Sequence, residues 1–320
     1  MVSARSLRVV FFGTPAFAVP TLERLVASSH RVVGVVTQPD RPRGRGQKIV
    51  SGPVKEFASA HGLPVLQPEK LARDVVEAPM LAFGADLGVV AAYGRILPEW
   101  LLQLPRLGMI NVHGSLLPRY RGAAPVHRAI MDGQHESGIT IMRVVKALDA
   151  GAMLATIHRR IDPDETSVEL ERELASLGAQ LLVDTVDRMA AGPVHEEPQD
   201  DGQATYAPKI TRDDAPVDWT RPAHAIHDQI RGLHPWPHAV TTVDGQRLIL
   251  HRSRLPDPNP PTDDGPGIVR AAGRDGVAVT CGDGCQVILT ELQAEGGRTL
   301  AARDFLAGRP IVPGQRLGAA

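Results

Sequence analysis

The sequence predicts an α/β protein in which a doubly wound, mostly parallel sheet is followed by a small C-terminal β-barrel. In the first half, continuous β-branched apolar runs alternate with amphipathic helical segments, the pattern of a parallel sheet covered on both faces. After about Tyr206 the texture changes to short β-like runs separated by Asp-Gly turns, which suits a small antiparallel barrel. The length of 320 residues fits two domains at roughly 100 to 200 residues each.

The elements follow in order. LRVVFFGT reads as a strand, PAFAVPTLERLVASS as a helix with Val19, Leu22, Leu25 and Val26 on one face, and RVVGVVTQ as a second strand. The helix PVKEFASAHG and the strands LPVLQ, ADLGVVAAYG and LGMINVHG continue the series. Ligands of such sheets bind beyond the carboxyl ends of the strands, which directs attention to the loops starting at Gly13, Gln38, Ala91 and Gly114. A long helix then begins at Thr166, with Glu169 placed to complete a capping box, carries Leu170, Leu174, Leu177, Leu181, Leu182, Val186 and Met189 as an apolar stripe, and stops at Gly192-Pro193. The expected organisation is a catalytic domain over 1–193, a surface linker over 194–208 and the barrel domain over 209–320. Within the barrel domain, AHAIHDQIRGL reads as a helix and PDPNPPTDDGPG as a mobile loop.

Composition excludes several classes. A hydrophobic share of 43%, a charged share of 22% and a net charge of −1 describe an ordinary globular chain, with no overall field to draw it onto a polyanion. The N-terminal apolar run is broken by Gly and Pro too early for a signal core or a membrane span. Cys281 and Cys285 flank an Asp-Gly turn, one residue too far apart for a CxxC motif, and read as structural residues of a hairpin in a reducing cytoplasm. The first turn, GTPAFA, has one glycine where a dinucleotide loop needs three. With no HExxH and no paired CxxC, no metal is expected in the reaction; the histidine pairs His224 with His227 and His234 with His238 fall outside the catalytic segment.

The chemistry concentrates in GMINVHGSLLPRYRGAAP. On an extended strand Asn111 and His113 share one face while Ile110 and Val112 take the other. An Asn amide can donate to a developing oxyanion, and an imidazole can donate to the same oxygen or accept a proton near neutral pH. An isolated Asn-x-His is most often an ordinary solvated strand end. Here, however, a stiff apolar turn, Gly114 to Pro118, follows it, and downstream LDAG places a carboxylate, Asp149, in a tight turn. Such an Asp can pair with His113 and hold its tautomer.

With these residues in view, NVHGSLLPRYRG and the downstream LDAG resemble the folate-dependent formyltransferases. VVFFGTPAFAVP, TQPDRPRGRGQK, VVAAYGRILP, GAAPVHRAIMDG, YAPKI and HPWP resemble the branch whose acceptor is the methionyl initiator tRNA. The resemblance runs from Leu7 to about Leu317. It implies a Rossmann-like catalytic domain, an oligonucleotide-binding-type (OB-type) barrel that assists tRNA binding, and 10-formyltetrahydrofolate as formyl donor. It also implies Asn111, His113 and Asp149 as the catalytic set, with Ser115, Leu116, Leu117, Pro118, Ala92, Tyr93, Gly94 and Ile96 lining the folate site. For tRNA it implies contacts from Arg41, Arg43, Arg45 and Lys48 in the basic loop and from Lys209, in a chain that works as a monomer.

Basic and acidic residues balance from Lys209 onward, so attraction of RNA there requires the fold to segregate charge. Three alternatives stand beside this reading. A formyltransferase acting on a sugar nucleotide would lack the basic loop, the glycinamide ribonucleotide enzyme would lack the residues after Tyr206, and a purely RNA-binding module would not need Asn111, His113 and Asp149.

Overall fold

The computed structural model describes residues 6–43 and 48–318, and these group into two compact units. The first comprises residues 1–125, 137–159 and 171–207, and the second 126–136, 160–170 and 208–320.

The first unit is built on β1 (Arg8–Gly13), α1 (Val19–Ala27), β2 (Arg31–Val36), β3 (Arg41–Arg43), β4 (Lys48–Val50), α2 (Pro53–Ala60), β5 (Val65–Leu66), α3 (Arg73–Phe83), β6 (Leu87–Ala91), α4 (Glu99–Leu102), β7 (Met109–His113) and β8 (Arg121–Gly122). After α5 (Pro125–Met131), most of which belongs to the second unit, come β9 (Glu136–Arg143), β10 (Met153–Arg160), the long α6 (Ser167–Ala191) and β11 (Tyr206–Ala207). Seven strands form one sheet in the order β10-β9-β7-β6-β1-β2-β5. From β5 to β7 the neighbours are parallel, and β9 joins β7 antiparallel. The sheet is therefore mostly parallel, as expected, with one reversed edge.

Burial explains the strand composition. All of β1 except Arg8 is buried, so its residues are apolar on both faces rather than alternating. The register Phe12↔Val36, Gly13↔Ala91 and Ala91↔Val112 aligns the carboxyl ends of β2, β1, β6 and β7. The chain runs outward on one side of β1 to β5 and then returns to β6 on the other, which makes the β1–β6 junction the switch point where a crevice opens. α3 is hard to read from sequence because Pro79 lies inside it and removes a helix hydrogen bond; it forms nonetheless because Val76 and Met80 are buried in the core with Phe12, Tyr93 and Leu101. α6 crosses the sheet closely: a Cβ at Gly178 would lie 2.9 Å from Val112 Cγ1 and 3.3 Å from Ile139. The buried face of α6 includes Ala175 and Ala179, while Leu177 and Leu181 of the expected stripe are only half-buried.

The capping box forms in altered shape. Glu169 Oε2 accepts from the Thr166 backbone N–H at 2.8 Å, but the Thr166 hydroxyl donates to the same carboxylate at 2.6 Å instead of capping the helix backbone.

The second unit carries α7 (Ala223–Gly232), β12 (Ala239–Val243), β13 (Gln246–Arg254), β14 (Val269–Gly273), β15 (Gly276–Thr280), β16 (Gln286–Ala294), β17 (Leu300–Ala301) and α8 (Ala302–Gly308). The sheet order is β12-β13-β16-β15-β14, with β17 on β16. Leu317 bridges Val243 at the β12 edge and Arg316 bridges Ile268 beside β14, so the chain's last described residues close the sheet into a small barrel. Asp244 and Gly245 both take positive φ, 49° and 74°, the requirement of a two-residue hairpin whose twist matches its strands. The proline-rich segment expected to be mobile is tied down. The Asn259 carboxamide bonds to both backbone groups of Gln286 at 2.9 Å, and the Thr262 N–H donates to Gly284 O at 2.9 Å.

The expected linker over 194–208 is mostly exposed, and through residue 207 it is also bound into the first unit. Glu197 pairs with Met153 through reciprocal backbone bonds, and β11 pairs parallel with β8. No helix among the described residues is long and apolar enough to cross a membrane.

Candidate active site

β7 ends at the carboxyl edge of the sheet with Asn111 half-buried and His113 buried. His113 Nε2 lies 2.9 Å from the Tyr120 carbonyl oxygen. A carbonyl only accepts, so Nε2 carries the hydrogen and Nδ1 is the nitrogen left for chemistry. Nδ1 faces Asp149 Oδ2 at 3.7 Å, an ion-pair distance beyond direct hydrogen bonding. The Asn111 carboxamide has no hydrogen-bond partner among the described residues, so its donors and acceptor remain available at the crevice.

Asp149 is held from several sides. Its backbone sits in the left-handed region with φ of 46°, and Oδ2 accepts from the Gly122 N–H at 2.9 Å. The Gln199 amide donates to the carbonyls of Asp149 and Gly151 at 2.8 and 2.7 Å. Arg121, buried at 4% exposure, donates in turn to Gln199 Oε1 at 2.8 and 3.0 Å and to Asp201 at 2.7 Å. Gly151 admits no side chain, since a Cβ there would fall 1.9 Å from the Arg143 carbonyl oxygen. Thr205 supports the other side: its hydroxyl accepts from the Tyr120 N–H at 2.9 Å, steadying the residue whose carbonyl orients His113. Gln199 and Thr205 are absent from the sequence-based site because they lie in a polar, aperiodic stretch that gives no local signal. Arg121 is visible there only as a basic residue, and its burial follows from pairing across the chain.

The apolar turn after His113 is likewise fixed. The Thr140 hydroxyl donates to Ser115 O at 2.8 Å and accepts from the Leu117 N–H at 3.2 Å, and the Ser115 hydroxyl donates to Arg119 O at 2.7 Å. The Leu117-Pro118 peptide is cis. Of the expected folate wall, Leu116 and Pro118 are half-buried, Ser115 and Leu117 are buried, and Ala92, Gly94 and Ile96 are exposed on the loop after β6. Ile96, at 83% exposure, is the large apolar side chain that this loop leaves open. Tyr93 differs from the expectation: its ring is buried in the core, edge-on to Phe12, with the phenol pushed up from its ordinary pKa by burial. Only its backbone is near the crevice, where the Tyr93 carbonyl accepts from the Gln38 amide at 2.8 Å.

The basic loop is framed by β3 and β4, which pair antiparallel with Arg41 opposite Val50, so its ends form a short ribbon rather than a free loop. Arg41 is exposed. Arg45 lies outside the described residues, and the side chains of Arg43 and Lys48 fall outside the description as well. Lys209 belongs to the second unit, where it is exposed and its carbonyl accepts from Arg128.

Comparison with known proteins agrees with these features. Residues 7–186 match the family described as formyl transferase, and residues 209–310 match its C-terminal domain. A protein named methionyl-tRNA formyltransferase from Geobacter metallireducens is 46% identical over 313 residues, covering 98% of this chain and 99% of that protein. One of the same name from Heliobacterium modesticaldum is 48% identical over 318 residues, covering 98% and 100%. The crystal structure of an N-formyltransferase from Helicobacter canadensis in complex with folinic acid and dTDP-3-aminofucose has a TM-score of 0.68 at 17% identity, covering 88% of this chain and 98% of that one; it establishes the fold.

Proposed function

The chain belongs to the formyl transferase family, and from that premise we propose that it transfers the formyl group of 10-formyltetrahydrofolate to the free amine of methionyl initiator tRNA. The observation that carries the reading is the convergence of Asn111, His113 and Asp149 at the carboxyl edge of the sheet, with His113 Nδ1 facing Asp149 at 3.7 Å.

The amine nitrogen attacks the formyl carbon, a carbon–nitrogen bond forms, and negative charge develops on the formyl oxygen. The Asn111 amide donates to that oxygen, and so does Nδ1–H of His113 in the doubly protonated form of the ring that the mechanism requires, an arrangement that stabilises the transition state more than the ground state. Asp149, fixed by Gly122 and by the Gln199 buckle, faces the imidazolium and takes the proton that the attacking amine loses. Collapse of the tetrahedral centre breaks its bond to the folate nitrogen, to which the proton held by Asp149 passes, so that tetrahydrofolate leaves and Asp149 is again a carboxylate. The folate fits the residues present: Leu116, Leu117 and Ile96 offer apolar faces to a flat ring, and the unpartnered Asn111 carboxamide supplies a donor at its reacting end. The reaction needs no metal, because neutral and cationic hydrogen-bond donors supply the oxyanion stabilisation.

Arg41, Arg43, Arg45 and Lys48 follow β2 in the chain, and the resemblance of this basic segment to the family supports assigning them to phosphates at the acceptor end of the tRNA. Lys209 is assigned to the RNA backbone. Free Cys281 and Cys285 accord with a reducing cytoplasm, where the protein is assigned to act as a monomer. The deciding experiment measures single-turnover formyl transfer to methionyl-tRNA, to an amino-sugar nucleotide and to glycinamide ribonucleotide. Transfer to methionyl-tRNA alone is expected; preference for either other amine, or no transfer at all, overturns the assignment.

A further inference from the structure

The second unit brings together three histidines that the reaction does not use. His234 and His238 lie in the segment between α7 and β12, and His251 lies on β13. One ring nitrogen of each is within 4.8 Å of those of the other two, and the His238 and His251 ring centroids are 4.1 Å apart. His251 is buried and the other two are half-buried. Nδ1 of His234 and Nδ1 of His238 are both buried without a hydrogen-bond partner, an unusual condition for a polar atom in a folded protein.

The third ring is oriented by polar neighbours, Gln293 and Thr299, the Thr299 hydroxyl lying 3.2 Å from His251 Nε2. His251 Nε2 is 2.8 Å from Gln293 Oε1, and the Gln293 amide nitrogen donates to Gly297 O at 2.9 Å. The second contact fixes which end of the amide is oxygen, so His251 Nε2 is the N–H and Nδ1 carries the lone pair. An imidazole whose outer N–H is held by a carbonyl oxygen is the usual arrangement of a metal-ligating histidine. Arg252, the residue after His251, is ion-paired with Glu169 at 2.5 Å.

We propose that His234, His238 and His251 form a binding site for a borderline divalent transition cation such as zinc, ligated by three imidazoles with water in the remaining position. Imidazole is a suitable ligand for this class of ion. Metal–nitrogen bonds of about 2.0 to 2.1 Å set tetrahedral ligand nitrogens about 3.4 Å apart, so the rings close inward modestly as the cation enters. The bound ion ties the segment after α7, which carries the half-exposed Trp236, to the barrel wall at β13. The effect is on the rigidity and stability of this unit and is independent of formyl transfer.

The test uses the full chain without a polyhistidine tag, stripped with a chelator and titrated with Co²⁺ and with Zn²⁺. One equivalent of Co²⁺ is expected to bind with visible d–d absorption of a low-coordinate nitrogen site, Zn²⁺ is expected to displace it, and Zn²⁺ is expected to raise the melting temperature. His234→Gln and His238→Gln should each abolish the spectrum. Gln293→Ala, which removes the carbonyl oxygen that accepts from His251 Nε2–H, should weaken binding roughly 10- to 100-fold. His224→Gln, outside the cluster, should bind as the parent does. No Co²⁺ spectrum from the parent at tens of micromolar metal, or equal binding by the His234 and His238 variants, overturns the proposal. Because these two side chains are half-buried, the readout does not depend on replacing the buried His251.

Discussion

At the scale of single residues, the site divides into groups that meet the reacting atoms and groups that hold them. In the proposed mechanism Asn111 and Asp149 stand in the first class, and neither supports the core, since both are half-buried. Asn111→Ala and Asp149→Ala are therefore expected to fold as the parent does and to slow single-turnover transfer by on the order of a hundred- to a thousandfold. Rates within about threefold of the parent would remove them from the catalytic set. Transfer is also expected to survive exhaustive chelation, because in the proposed mechanism Asn111 and His113 perform the polarisation a Lewis acid would supply. Activity recovered only on adding back a metal would contradict the mechanism. The His113 tautomer shows what one residue cannot say about itself. The sequence places the ring on the strand, but the Tyr120 carbonyl, itself steadied by Thr205, decides which nitrogen is free.

At the scale of elements, close approach of α6 to β7 and β9 is the packing that fixes the catalytic strand from behind. Gly178 leaves no room for a side chain against Val112 and Ile139. Gly178→Val should cost about 1 to 3 kcal/mol in denaturant unfolding, the usual range for overpacking, and lower the transfer rate by displacing β7. Full stability in that variant would show that the helix can move without strain. The basic segment between β3 and β4 gives a second expectation at this scale. Each RNA phosphate that a cationic side chain ceases to neutralise takes about one unit off the salt slope of binding. Arg43→Ala combined with Arg45→Ala should thus flatten the salt dependence of transfer to methionyl-tRNA while folate affinity stays unchanged. An unaltered slope would place RNA recognition elsewhere.

At the scale of the whole molecule, the two units differ in their response to acid. Burial, with a contribution from Arg128, pushes the His127 imidazole down to about 4. Its unfolded value is near 6.5, so between pH 6.5 and 4 the unfolded chain binds a proton that the folded chain does not, and stability falls as pH falls. Glu169 extends the trend lower. Burial disfavours its charge, but hydrogen bonds from Arg252 and Thr166 outweigh that and hold the carboxyl at about 2, so its contribution disappears as pH drops below the ordinary carboxylate range. Both residues belong to the second unit. In the first unit, Glu171 is pushed up to about 7 by burial and acts oppositely, losing stability as pH rises from about 4.5 to 7. The difference between parent and His127→Gln is therefore the quantity to read. Melting temperatures from pH 7 to pH 4 should converge as acid is added, and a constant gap would show that His127 does not titrate in this window.

The sequence by itself determines the alternating strands and helices of the first unit, the Asp-Gly hairpins of the barrel, and the pairing of Asn111 and His113 on one face of a strand. These follow from local periodicity and turn chemistry, which a short window of residues already contains. It also marks Asp149, because a carboxylate beside Gly151 in a tight turn is a local pattern. Tertiary structure alone decides that Asp149 faces Nδ1, that Gln199 and Arg121 buckle its turn, that residues 194–207 bind into the first unit, and that Tyr93 turns into the core. It alone brings His251 to His234 and His238. These pairings join residues far apart in the chain, and no local preference encodes them; they exist because burying polar groups requires partners, and the partners are found only when the sheet and the barrel have closed.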